Sequence, residues 1–142
     1  MRYRYLRHTA DVEFVAYGKD VKELIENAAL AMLNVMINTK EVENSGGRTS
    51  SITITESGGS NDDIVWYTLQ DMLSRVDAQQ LHAFKFTVDS IRKNGAIKLK
   101  GRLYYKNTKR NYFLLGVKAV TPHGLKVKKS GNVYSTNIVL DV

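Results

Sequence analysis

Between Gly18 and Asn38 the apolar residues Val21, Leu24, Ile25, Ala28, Ala29, Met32, Leu33 and Met36 recur three and four apart. That spacing lines one side of a helix, so the chain has to fold around a helix over about residues 20–37 whose apolar side faces a core. Its start is punctuated as well. Asp20-Val21-Lys22-Glu23 has the form of a capping box, in which the Asp20 side chain accepts an orphan N–H and Glu23 reaches back. Whatever surrounds this helix must supply an apolar surface for it.

The remaining patterns supply strands and one more helix. Tyr3 to Arg7 and Val12 to Tyr17 alternate, which predicts two short strands with a bend between them. Residues 38–49 are polar and contain Gly46-Gly47, which predicts a mobile loop. A strand is expected at Ser51–Thr55. After Ser57-Gly58-Gly59-Ser60, either Ser60 or Asn61 caps a second helix with Asp62 and Asp63 in its first turn. Ile64, Val65, Trp66, Leu69, Met72, Leu73 and Val76 give that helix its buried side.

From residue 83 the period changes to two. Phe84–Val88 and Ala96–Lys100 alternate on either side of Asn94-Gly95, a two-residue hairpin signal. Gly101 marks a break or bulge, and residues 102–111 favour neither helix nor strand. Tyr112–Thr121 is an apolar run fit for a central strand. Leu125–Lys129, the turn Ser130-Gly131-Asn132 and Val133–Leu140 form a closing hairpin with Asp141 at its tip. Two amphipathic helices and six to eight strands, mostly joined by hairpins, predict an α+β fold: both helices on one face of a mixed, largely antiparallel β-sheet. The last strand is expected inside that sheet or beside the first.

With 142 residues the chain has the size of one domain, 1–142, able to bury roughly two-thirds of its unfolded surface. It has no cysteine, and Arg2, Arg4 and Arg7 interrupt the first segment. A disulfide framework, secretion and a membrane span are therefore not expected, and the cytoplasm is the expected compartment. Charge is polarised. Residues 1–89 carry a net charge of -4, whereas residues 90–140 hold twelve Lys/Arg and no acid. Such a field suits phosphate backbones or an acidic protein surface, and the same lysines also protect sheet edges from aggregation. The twelve cations with Tyr104 and Tyr105 nearby define one functional alternative, a basic RNA-binding module over residues 90–140.

The other alternative starts from Arg7-His8-Thr9-Ala10-Asp11-Val12 and Asp141-Val142. Asp141 is the only acid after Asp89 and stands beside the last residue. If the two ends of the fold meet, Asp11, Asp141 and the Val142 carboxylate form a cluster that calls for a proton or a cation. Oxygen donors without thiolate suit calcium, magnesium or manganese rather than zinc. Plainer roles also fit: Asp11 as a turn cap, Asp141 as a solvated strand end. His8, His82 and His123 are the histidines, and no Gly-x-Ser-x-Gly, Walker loop or dinucleotide fingerprint accompanies them. His8 lies three residues before Asp11, in reach of a His–Asp relay or of a carbonyl, and His123 sits at the turn made by Pro122.

Four blocks in order carry a resemblance: Tyr5-Leu6-Arg7-His8-Thr9-Ala10-Asp11-Val12, Tyr17-Gly18-Lys19-Asp20, Val117-Lys118-Ala119-Val120-Thr121-Pro122-His123 and Val139-Leu140-Asp141-Val142. Together they resemble the archease family from end to end. The resemblance implies a non-catalytic accessory protein, not an enzyme, that assists the GTP-dependent tRNA-splicing RNA ligase, promoting its guanylylation and multiple turnover. It implies a metal site on Asp11, Asp141 and Val142, for calcium first, with magnesium or manganese as alternatives. It also implies contact with tRNA exon halves only through the ligase. His8, Lys118 and His123 are the candidate ligase-docking residues, Lys118 as a cation near the docking edge. Glu13 stands where the family usually has a small residue, and Arg102 where it usually has an acid; both bear on docking and neither touches the proposed ligands.

Overall fold

A computed structural model describes residues 1–6 and 11–142. Its elements are, in order, β1 (Tyr3–Leu6), β2 (Val12–Gly18), α1 (Val21–Met36), α2 (Thr39–Asn44), β3 (Thr49–Gly58), α3 (Asn61–Gln79), β4 (His82–Asn94), β5 (Ala96–Lys106), β6 (Ala119–Val120), β7 (Lys128–Ser130) and β8 (Val133–Asp141). The α+β class and the antiparallel pairing are as read from the sequence. The strands, however, form two sheets. One runs β1-β2-β8-β6 with β7 also on β8, and the other runs β3-β5-β4.

The reason lies in α1. Leu24, Ile25, Ala28, Ala29, Ala31, Met32, Leu33 and Met36 are all buried, a surface too wide for one sheet to cover. The helix therefore packs on β2 of one sheet and β4 of the other, while α3 packs on β3 and β5 and reaches β6. The caps form as their residues dictate. Asp20 accepts the Glu23 N–H at 2.8 Å and Ser60 accepts the Asp63 N–H at 3.1 Å. Glu23 reaches back to the Lys19 N–H, at 3.2 Å.

Three segments differ from expectation. Residues 38–49 do not form a loop throughout: Asn38 accepts the Glu41 N–H at 3.3 Å and starts α2, whose Val42 is fully buried. Gly101 is not a break, because it pairs with Ile54 and Val88 in the middle of the second sheet. The irregularities fall on β4 instead, between Ala83 and Lys85 and between Val88 and Ser90, where the Glu26 carboxylate accepts the Val88 N–H at 2.8 Å. Tyr112–Thr121 is not a central strand. Leu114 and Leu115 are 62% and 44% exposed, and the segment is strapped across the end of α1 by a Leu114 N–H bond to the Met36 carbonyl at 2.8 Å. Only Ala119–Val120 join the sheet, at its edge.

Candidate functional site

The antiparallel register of β2 on β8 pairs Val12 with Leu140, Phe14 with Ile138 and Ala16 with Thr136. These residues point to the core. The ladder runs to the Val12–Leu140 pair, and Asp11 and Asp141 are the next residues of the two chain segments beyond it. Asp11 is half-buried, Asp141 exposed, and Val142 half-buried against the core. Strand alternation carries Glu13 to the same face as Asp11. Its carboxylate accepts a bond from the Asn137 amide at 3.3 Å.

Lys118 reaches this tip through its backbone. Its N–H donates to the Asp141 carbonyl at 2.7 Å, and the Thr121 N–H donates to the Val139 carbonyl at 2.9 Å, which fixes β6 beside β8. The Lys118 side chain is exposed, between buried Val117 and half-buried Ala119. The outer edge of β6 is closed by α3. Trp66 Nε1 donates to the Val120 carbonyl at 2.7 Å, and Gln70 Oε1 accepts the Val120 N–H at 3.0 Å. One turn earlier, Asp62 accepts the Val127 N–H at 2.7 Å. Trp66 and Gln70 thus hold the segment that carries Lys118, and Asp62, four residues before Trp66, ties down the chain beyond the Pro122 turn.

The predicted docking residues separate. Lys118 is at the tip. His123 stands apart, exposed on a turn closed by the Leu125 N–H to the Pro122 carbonyl at 3.3 Å, with Gly124 at φ 71°. His8 lies outside the described residues. His82, which no functional argument singled out, is structural: its Nε2 accepts the Tyr112 N–H at 3.1 Å and its ring stacks on Phe113 at 4.3 Å. Burial holds its pKa below the ordinary value. Among the described residues no three His, Cys, Asp or Glu side chains are placed to hold a metal ion. The carboxylates of Asp11 and Asp141 are hard oxygen donors, the kind that suits calcium, magnesium or manganese.

The chain matches the Archease protein family (MTH1598/TM1083) over residues 3–142. It belongs to the archease family. Among relatives, the protein archease of Methanosarcina mazei is 34% identical over 99% of this chain and 96% of its own length. That of Sulfolobus acidocaldarius is 30% identical over 99% of both. The solution structure of protein 1598 of Methanobacterium thermoautotrophicum superposes with a TM-score of 0.83 at 26% identity, covering 99% of this chain and 98% of that one. An archease of Thermotoga maritima, described as a possible chaperone, shares the fold at 23% identity with a TM-score of 0.55, covering 100% of this chain and 98% of that one. No helix among the described residues of this archease is long and apolar enough to cross a membrane.

Proposed function

We propose that this archease is an accessory protein without catalysis of its own, which activates a GTP-dependent tRNA-splicing RNA ligase in the cytoplasm and whose carboxylate tip meets tRNA exon halves only through that ligase. The observation that supports this reading is the β2–β8 ladder, which ends at the Val12–Leu140 pair just short of Asp11 and Asp141, with the Lys118 N–H bonded to the Asp141 carbonyl. Asp11, Asp141 and Val142 would hold the divalent ion, calcium first and magnesium or manganese as alternatives. Such an ion, when bound, offers open positions to water or phosphate oxygens.

The chain's own residues do the rest. Two backbone bonds from α3 side chains and two from β8 hold the Lys118 segment in one position, so the exposed ammonium is presented without loss of further backbone freedom. A rigid, charged edge is what positioning a reacting group on a partner enzyme requires. The test is RNA ligation under single and multiple turnover with the wild type, Asp11→Ala and Asp141→Ala. The wild type is expected to raise turnover and both folded variants to lose the effect. A ligase indifferent to the wild type, or variants that activate equally well, sinks the reading.

A further inference from the structure

The β3-β5-β4 sheet carries its helices on one face only, where Ile54, Leu99, Leu103, Phe86 and Val88 are buried. Its other face is largely exposed, and its rows stay in step across the two β4 irregularities. The register sets Ser57, Lys98 and Arg92 in one row, Thr55, Lys100 and Ser90 in the next, and Thr53, Arg102 and Thr87 in the third. Lys98, Lys100 and Arg102 thus form a central column about 6.8 Å apart, flanked by hydroxyls on both sides. In the fourth row Lys85 lies over the Tyr104 ring, 5.8 Å from its centroid. An open depression of about 400 Å³ on this face is lined by Thr55, Ser57, Ser90, Arg92, Lys98 and Lys100, with Leu99 and one acid, Glu56, also at its wall. A second acid, Asp89, is occupied by Arg102 at 3.1 Å.

We propose that this face binds the phosphate backbone of an unpaired RNA strand. The site is distinct from the carboxylate tip and goes beyond ligase activation. Cations repeating along a strand at this spacing match the repeat of phosphates along a nucleic-acid strand, and serine and threonine hydroxyls are the usual additional phosphate donors. An acidic protein surface fits less well. Protein interfaces draw most of their energy from buried aromatic and apolar anchors, and apart from Tyr104 the outward positions of these rows are charged or hydroxyl-bearing. The structure also narrows the basic half of the sequence: Lys106 is spent on the Glu43 and Ser45 carbonyls, at 2.8 and 2.9 Å, and Lys129 lies over Tyr134 on the other sheet.

The test measures binding of a 5′-labelled oligouridylate by the full chain across a salt series. Three proteins are compared: the wild type, the triple variant Arg92→Ser/Lys98→Ser/Lys100→Ser, and the charge-matched control Lys126→Ser/Lys128→Ser/Lys129→Ser. The face variant is expected to lose about tenfold or more in affinity, and its slope of log affinity on log salt to fall by about 2, since each phosphate contact on a single strand contributes about 0.7. The control is expected to change by less than about threefold. Far-UV circular dichroism checks folding; should the triple variant not fold, Lys100→Gln alone must still weaken binding more than Lys128→Gln. Equal losses in variant and control, no binding by the wild type, or equally tight binding of polyglutamate each overturns the proposal, the last in favour of an acidic protein partner.

Discussion

Gly101 is the residue at which backbone and packing constrain each other most closely. A Cβ built there would lie 2.5 Å from Phe86 Cζ and 2.8 Å from the Thr87 carbonyl oxygen. The ring can tilt, but the strand carbonyl cannot withdraw without breaking the sheet. Gly101→Ala is therefore expected to destabilise the fold by about 1–3 kcal/mol, read as a lower midpoint in urea. A glycine within a strand signals a bulge or a close approach; which of the two applies depends on the ring that arrives from β4, and alternation along one strand does not contain that. Glu56 offers a second test. Partial burial, then a hydrogen bond shared with Asp71 and the Asp71 charge, raise its pKa from an ordinary 4.5 to about 7, while Arg75 opposes the shift. Because the folded pKa is the higher one, its contribution is fully present below pH 4.5 and is lost as pH rises through 7. Glu56→Gln is expected to flatten the decline of Tm over that window and to raise Tm at pH 8 by at most about 3 °C, the group being largely solvent-screened. An unchanged pH profile counts against the Glu56–Asp71 pair.

At the scale of elements, the decisive feature is how an edge strand two residues long stays in place. β6 turns the Val120 N–H and carbonyl away from β8, where an edge strand ordinarily leaves them to water, and α3 supplies a partner to each. Trp66→Phe keeps most of the apolar contact and removes the donor to a carbonyl whose residue is 1% exposed. It is expected to cost about 1–2 kcal/mol. Gln70→Ala should act locally as well: the Val120 amide is expected to exchange about tenfold faster or more, with the amides in the middle of α3 unaffected. If both helices and strands lose protection together, the tie is global and does not specifically hold the Lys118 segment. This device was only half legible. The apolar stripe of α3 announced the helix and Ser60 or Asn61 its cap, but Asp62 read as a dipole acid and Trp66 as a core ring, and no pattern singled out Gln70. Their partners lie 50 or more residues away, and local pattern carries no record of them.

For the whole molecule, periodicity and turn residues located the two long helices and the hairpins but not α2, and the last strand was expected inside the sheet or beside the first. The division into two sheets escaped these patterns, because alternation gives each strand a buried face without saying which layer covers that face. The β2–β8 register makes the pairing of an early strand with the last one a property of the fold. That property has a thermodynamic consequence. An ion that binds Asp11, Asp141 and Val142 joins segments from opposite ends of the sequence, and the unfolded chain does not bring them together. Binding should therefore stabilise the native state by RT ln(1 + [L]/Kd), about 2.7 kcal/mol at a hundredfold excess over Kd. For a chain of this size the expected rise in Tm is about 5–10 °C, seen by calorimetry on adding calcium to chelator-treated protein. Asp11→Asn and Asp141→Asn, nearly isosteric, should abolish the rise. A rise that persists in both asparagine variants would place the ion elsewhere and leave the aspartates as the ends of a strand pair.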